Sequence, residues 1–259
     1  NIFGSRFRKR SPENIIEEID ILVKKYKVRQ IDILDDNFTL DIGWAEQVLD
    51  LIIGRKYNLY ITFPNGLRAD RLNRDLVHKM KLAGVYKGGI GIETGDKKVM
   101  RLIKKNLDLD KVVQAIKWLR KEKITVFGFF MLGLPGETRS TMKKTIDFAV
   151  RSNPHIANFA VTIPMPGTEL YEIIKKKGRF IKDNSSNLSR GYYTIDSGYY
   201  ELGGLKSRDI KRCQRKAYIS FYFRPSKVFE FFSLIRSWRE LRWTITTALP
   251  LVQSIFKKN

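Results

Sequence analysis

FGFFMLGLPGE, Phe127 to Glu137, is the stretch that decides the fold: an apolar run of strand length stopped by a Gly-Pro-Gly-Glu turn. A run this apolar fits a strand covered on both faces, as in a parallel sheet, and not a half-exposed one. The turn is expected to expose backbone amides and a carboxylate at the strand's C-terminal end, where α/β folds bind their ligands.

Outward from that strand, helix and strand patterns alternate. Ser11-Pro12-Glu13 starts a helix, with Ser as cap, Pro in the first turn and Glu at the positive end. Strand patterns cover 28–34, 59–63, 86–92, 124–132 and 156–163; helical patterns cover 44–57, 74–82, 97–104, 109–121, 140–150 and 169–176. Repeated βα units imply parallel strands joined by right-handed crossovers, in a sheet or a barrel. Such a series should open with a strand, so the leading helix implies one strand missing upstream. Residues 1–180 form this α/β unit, 181–206 a connector rich in Tyr and Gly, and 207–259 a basic, aromatic helical extension.

The 259 residues, 43% hydrophobic and 12% aromatic, describe a folded protein and exclude a disordered one. A net charge of +22 fits a lysine-rich surface or attraction to an anionic membrane, nucleic acid or acidic substrate. Cys213 is the single cysteine, so no intramolecular disulfide forms and a reducing compartment is expected. No signal sequence and no run of eighteen apolar residues is visible. The chain begins with Asn1, which reads as a piece of a longer protein.

The strand ends carry the polar signatures. The first closes on Asp35-Asp36-Asn37-Phe38-Thr39, able to bind an ammonium group or a metal, or simply to cap a turn. The third closes on GIETGD, where Glu93 can accept hydrogen bonds from sugar hydroxyls and Asp96 can cap the next helix. Lys104 and Lys105 end that helix, one of them within reach of a ligand carboxylate. Gly133–Glu137 and Pro164–Thr168 each offer backbone on which a planar base can lie. Neither is a phosphate loop: GxxxxGK[ST] and GxGxxG are absent. His78 and His155 lack metal-ligand spacing and read as structural.

The order RSPENIIEEI, DDNFT, GIETGD, FMLGLPGET and PMPGTELYE resembles the radical S-adenosylmethionine (radical SAM) superfamily, and most of all the branch that often carries an upstream cobalamin-binding domain. The resemblance covers about residues 5–177 and implies a partial (βα)6 TIM-like barrel lacking its first strand. It implies that Asp35, Asp36 and Asn37 hold the methionine ammonium of S-adenosylmethionine and that Glu93 contacts the ribose. Lys105 would face the methionine carboxylate. Gly133, Pro135, Gly136, Glu137, Ile163 and Pro164 would face the adenine, and Arg68 would line the pocket. Family members hold a 4Fe–4S cluster on a CxxxCxxC loop and use it to cleave S-adenosylmethionine reductively, starting radical chemistry by hydrogen abstraction. That loop is absent here and Cys213 cannot replace it. The resemblance therefore implies that the cysteines and the first strand precede Asn1 and that this polypeptide alone is inactive.

The implied activity is methylation, cyclisation or rearrangement of a small-molecule or lipid-like substrate, with an electron donor such as flavodoxin or ferredoxin and with cobalamin supplied by an upstream domain. A cytoplasmic protein peripheral to the inner face of the membrane is expected. RKAYISFYF, Arg215–Phe223, resembles a tail common in this branch. Phe229, Phe231, Phe232, Trp238 and Trp243 then interleave with basic residues, as in a helix packed on another domain or lying in a membrane surface. Two other readings stand beside this one: a cluster-free binding module, and an RNA-modifying enzyme suggested by charge but without a recognisable RNA-binding domain.

Overall fold

The computed structural model describes residues 7–181 and 198–234, together with 238, 242 and 246. Strands β1 (Gln30–Asp32), β2 (Tyr60–Leu67), β3 (Val85–Glu93), β4 (Thr125–Leu132) and β5 (Ile156–Val161) form a five-stranded parallel sheet in chain order. No closed barrel is formed among the described residues. The chain divides into two compact units, Asn1–Gly91 with Asp110–Phe127, and Ile92–Leu109 with Gly128–Asn259.

In the first unit, α1 (Pro12–Lys24), α2 (Ile42–Gly54) and α3 (Arg74–Leu82) are capped by Ser11, Asp41 and Asn73, whose side chains accept otherwise unpaired helix amides. β1 pairs with β2 in register Gln30↔Tyr60, and β2 with β3 at Ile61↔Val85. Phe38, Trp44 and Phe63 form its aromatic core, with ring centroids 4.9 Å (Phe38–Phe63) and 5.3 Å (Phe38–Trp44) apart. The Trp44 indole donates to the Arg10 carbonyl at 2.8 Å, fixing the segment before α1. β1 is shorter than the strand expected from 28. Lys27 turns the chain at φ 56° and the Val28 amide still bonds back to Leu22.

The second unit holds α4 (Lys97–Leu102), most of β4, α6 (Arg139–Ser152), β5, α7 (Glu169–Lys177), β6 (Arg179–Phe180), β7 (Tyr200–Glu201), α8 (Ser207–Tyr222) and α9 (Pro225–Leu234), while α5 (Leu109–Lys121) belongs almost wholly to the first. Along α8, Gln214, Tyr218 and Tyr222 recur every four residues and hydrogen-bond to the Ala157 and Phe159 backbone of β5. Side chains thereby satisfy an edge strand that would otherwise leave donors and acceptors unpaired. Phe159 stacks on Phe130 at 5.2 Å and meets Tyr218 edge-on at 5.4 Å.

Two expectations need correcting. β4 is not covered on both faces: its residues alternate between buried and half-buried. Lys87 lies over the Phe127 ring at 4.6 Å, so a cation covers part of the second face where apolar packing was expected. The expected connector is not all loop, since Tyr200–Glu201 within it pairs antiparallel with Arg179–Phe180, the last residues of the expected α/β unit. Two-residue strands leave no periodicity to read. Residues 182–197 and Trp243 lie outside the described residues, as do the side chains of Phe231 and Phe232.

Gly95 shows how closely the second unit is packed. A Cβ there would sit 2.6 Å from Phe148 Cβ and 2.7 Å from the Lys144 carbonyl oxygen. Gly95→Ala is expected to lower the unfolding free energy by about 1–3 kcal/mol in urea titrations. Gly54→Ala, where a Cβ meets nothing within 4 Å, should be neutral or stabilising by up to about 1 kcal/mol. Equal effects at both positions would contradict this packing.

Candidate functional site

The expected site residues fall in both units, and each group is described within its own. In the first unit, the Asp35 carboxylate accepts the Asn37 amide at 2.7 Å, closing a local Asx turn after β1. Asp36 is exposed and Asn37 half-buried. Asn65 donates to the Leu34 carbonyl at 2.8 Å and ties this turn to the end of β2. Thr39 is fully buried, and its hydroxyl has no hydrogen-bond partner. Arg68 makes a two-pronged pair with Asp70 at 3.1 and 2.8 Å. Its guanidinium is therefore already engaged, and the bond pushes its pKa up.

The second unit brings three of the expected segments together. β3 ends on Glu93, a non-glycine residue at φ 67°, with the Thr94 amide donating to the Ile92 carbonyl across it at 2.9 Å. That is the pattern of a positive-φ γ-turn, an uncommon and strained conformation for a side-chain-bearing residue. Glu93 receives Lys105 Nζ at 2.7 Å, and both side chains remain partly open to solvent. Lys104 turns the other way and pairs with Glu169 at 2.9 Å, next to the Pro164–Thr168 turn. Asp96 is buried, caps α4 through the Lys98 and Val99 amides and binds Lys144 at 2.7 Å. Burial would raise its pKa, yet Lys144 and the two amides together hold it low.

The turn after β4 is built differently from the expectation. Glu137 is 3% exposed, and Oε2 accepts both the Gly133 amide (2.7 Å) and the Leu134 amide (3.0 Å). The carboxylate is not offered to solvent, and those two amides are not free to bind a ligand. What the turn presents is half-buried Pro135 and exposed Gly136. A Cβ on Gly136 would come within 2.5 Å of Leu102 of α4, which sets this turn against the segment leading to Lys105. Half-buried Ile163 and buried Pro164 follow β5, where both the amide and the hydroxyl of Thr162 bond to the Leu132 carbonyl, at 2.9 and 3.1 Å.

Sequence reasoning missed Tyr200. Its buried hydroxyl donates to the Gly133 carbonyl and so holds the same turn from β7. Burial pushes its pKa up, with Glu137 nearby adding to the effect. No local pattern could pair residues 67 positions apart; a Tyr-rich stretch was the only hint. Burial also lifts the Glu137 pKa to about 7, against the pull of its two amide hydrogen bonds. Oε1 of the same carboxyl is buried without a partner.

The residues present do not form an iron–sulfur site. No group of three or more His, Cys, Asp or Glu suited to a metal occurs among the described residues. Cys213 lies half-buried on α8, and burial pushes its thiol pKa up, away from the thiolate that a metal requires. His78 sits on the surface 3.3 Å from Glu122, and His155 lies 3.8 Å from Glu230.

A model of the Radical SAM superfamily matches residues 2–149. An uncharacterized methyltransferase of Pyrococcus horikoshii is 33% identical over 86% of this chain and 47% of its own length. The cytidylyl-2-hydroxyethylphosphonate methyltransferase of Streptomyces wedmorensis is 29% identical over 79% of this chain and 39% of its own length. This chain thus spans less than half the length of either relative. In fold it is similar to the radical S-adenosylmethionine methyltransferase TsrM of Kitasatospora setae, solved with cobalamin and a 4Fe–4S cluster, with a TM-score of 0.65, 14% identity, and coverage of 86% of this chain and 47% of that one.

The buried Glu137 carboxyl makes stability depend on pH. Its folded-state pKa of about 7 lies above the ordinary 4.5, so the folded protein binds the extra proton between those values. The associated stability is present below about pH 4.5 and is lost as pH rises through about 7, a change of about 3 kcal/mol. Glu137→Gln keeps an acceptor for both amides and removes the titration. Its unfolding free energy relative to the native protein should therefore rise across this range in urea titrations, and parallel pH curves would refute the assignment.

Proposed function

This chain belongs to the radical SAM superfamily, and from that premise we propose that the protein carrying it is a radical SAM enzyme. The observation that carries the reading is the end of β3, where Glu93 is held in a strained turn and paired with Lys105 beside the Gly136 turn. Strain and a partly open ion pair at a strand's C-terminal end are features of a ligand site, costly for a structural residue to keep.

Each position has a role in this proposal. Glu93 accepts hydrogen bonds from the ribose hydroxyls of S-adenosylmethionine. Lys105, shared with Glu93, pairs with the methionine carboxylate. Asp36, exposed beside the Asp35–Asn37 turn, offers a carboxylate to the methionine ammonium, with Asp35 and Asn37 shaping the turn. Pro135, Gly136, Ile163 and Pro164 provide the surface for the adenine, while Glu137 and Gly133 hold that surface in shape. Arg68 contributes to the pocket only by exchanging Asp70 for another anion. When bound, S-adenosylmethionine with a 4Fe–4S cluster supplies a reductive carbon–sulfur cleavage that opens the reaction. The described residues carry no ligand set for that cluster, so we place its ligands in a part of the protein outside this sequence. The expected partial (βα)6 barrel would be completed from the same part.

Methyl transfer is the favoured outcome because the two relatives above are named methyltransferases; cyclisation and rearrangement are the alternatives. An upstream cobalamin-binding domain fits the likeness to a cobalamin-bound structure. The proposal includes a small-molecule or lipid-like substrate, a flavodoxin or ferredoxin as electron donor, and a cytoplasmic location peripheral to the inner face of the membrane. The absence of a cluster ligand set among the described residues favours one rival, a cluster-free binding module.

The test uses the full-length protein, reconstituted anaerobically with iron and sulfide and then reduced in the presence of S-adenosylmethionine. Formation of 5′-deoxyadenosine or S-adenosylhomocysteine is expected, and Glu93→Gln should weaken S-adenosylmethionine binding about tenfold, the loss of one charge-assisted hydrogen bond. Neither product from a protein without a bound cluster would overturn the catalytic reading and leave the binding module.

A further inference from the structure

We propose that the α8–α9 corner is a docking surface for an anionic lipid bilayer. This deepens the peripheral location proposed above and does not depend on the catalytic reading. α8 is two-sided. Its inner face, through Ile210, Gln214, Ala217, Tyr218 and Phe221, is buried. On the outer face Arg208, Arg212, Arg215, Lys216, Ile219 and Phe223 are all exposed, and at helical spacing they fall within about 100° of arc. The face thus runs from cations at the N-terminal end to apolar side chains at the C-terminal end.

Exposed apolar side chains recur just after α8 in the sequence. Phe223 is 53% exposed at the end of α8, and on the first turns of α9 Phe229 is 77% exposed, with Val228 beside it in sequence also exposed. Helical Trp238, further along, is exposed as well. Large apolar side chains are normally exposed singly; several exposed close together in sequence, at the end of one helix and the start of the next, point to an interaction surface.

Charge decides what covers it. Asp209 is the only acid between Ser207 and Phe229, and it is buried and bound to Arg139 at 2.6 Å. Glu230 is taken by Lys227. The outer face of α8 therefore presents cations without an acid of its own among them, on a chain of net charge +22. An apolar protein groove would cover Phe223 and Phe229 but leave four cations facing it. An anionic bilayer answers both halves, with phenyl groups at the acyl boundary and guanidinium groups at the headgroups. Among the described residues no helix is long and apolar enough to cross a membrane, so the contact would lie on the surface.

The experiment is co-sedimentation of the full-length protein with vesicles of phosphatidylcholine alone or mixed with phosphatidylglycerol. Binding to the mixed vesicles is expected to exceed binding to neutral ones by about tenfold at low salt and to fall as salt rises. The double variants Phe223→Ser/Phe229→Ser and Arg212→Glu/Arg215→Glu should each lower it about tenfold, with circular dichroism and thermal melting unchanged because all four side chains are exposed. S-adenosylmethionine cleavage measured without vesicles should be the same in these variants, so a failure of vesicle binding and a failure of the catalytic reading register separately. Absence of vesicle binding, or binding that neither variant weakens, would overturn the proposal. So would a dimer that the Phe variant dissociates, or RNA binding that the Arg variant abolishes while vesicles are ignored.

Discussion

One buried carboxyl fixes the turn that ends β4. Glu137 accepts two successive amides of the turn that ends β4, and it does so where burial makes a carboxylate costly. A Gly-Leu-Pro-Gly turn left to itself has few constraints beyond its proline. Clasped by Glu137 from inside and by the Tyr200 hydroxyl at the Gly133 carbonyl, it has a fixed shape. Gly136 can then lie against Leu102 of α4, and the Lys105 end of that segment returns to Glu93. The outward-facing surface of the turn rests on an inward-facing acid.

Much of this was legible in the sequence. Caps at Ser11 and Asp96 and the turn signals after each strand define the alternating elements, because those residue types satisfy helix ends through local hydrogen bonds. The strand end at Glu93 was legible as polar, but its ion pair with Lys105 was not, since the sequence assigns the two side chains separate partners. Local chemistry leaves a local trace.

What escaped the sequence depends on contacts between distant segments. Glu137 reads as a surface acid after a turn, and only burial shows it to be a clasp. Tyr200 reaches Gly133 from a two-residue strand that has no periodicity to detect. The service that Gln214, Tyr218 and Tyr222 give to the edge of β5 is visible afterwards as spacing of four on α8. Beforehand it is indistinguishable from an ordinary amphipathic helix. The half-covered second face of β4 was misread for a similar reason, since composition does not reveal that a lysine will cover a phenyl ring.

The most direct test is hydrogen–deuterium exchange of the cluster-loaded full-length protein with and without S-adenosylmethionine. If the strained end of β3 and the clasped turn after β4 hold that molecule, peptides covering Glu93–Lys105 and Gly133–Thr138 should exchange more slowly together when it is added. Unchanged exchange in both, with protection elsewhere, would contradict the account.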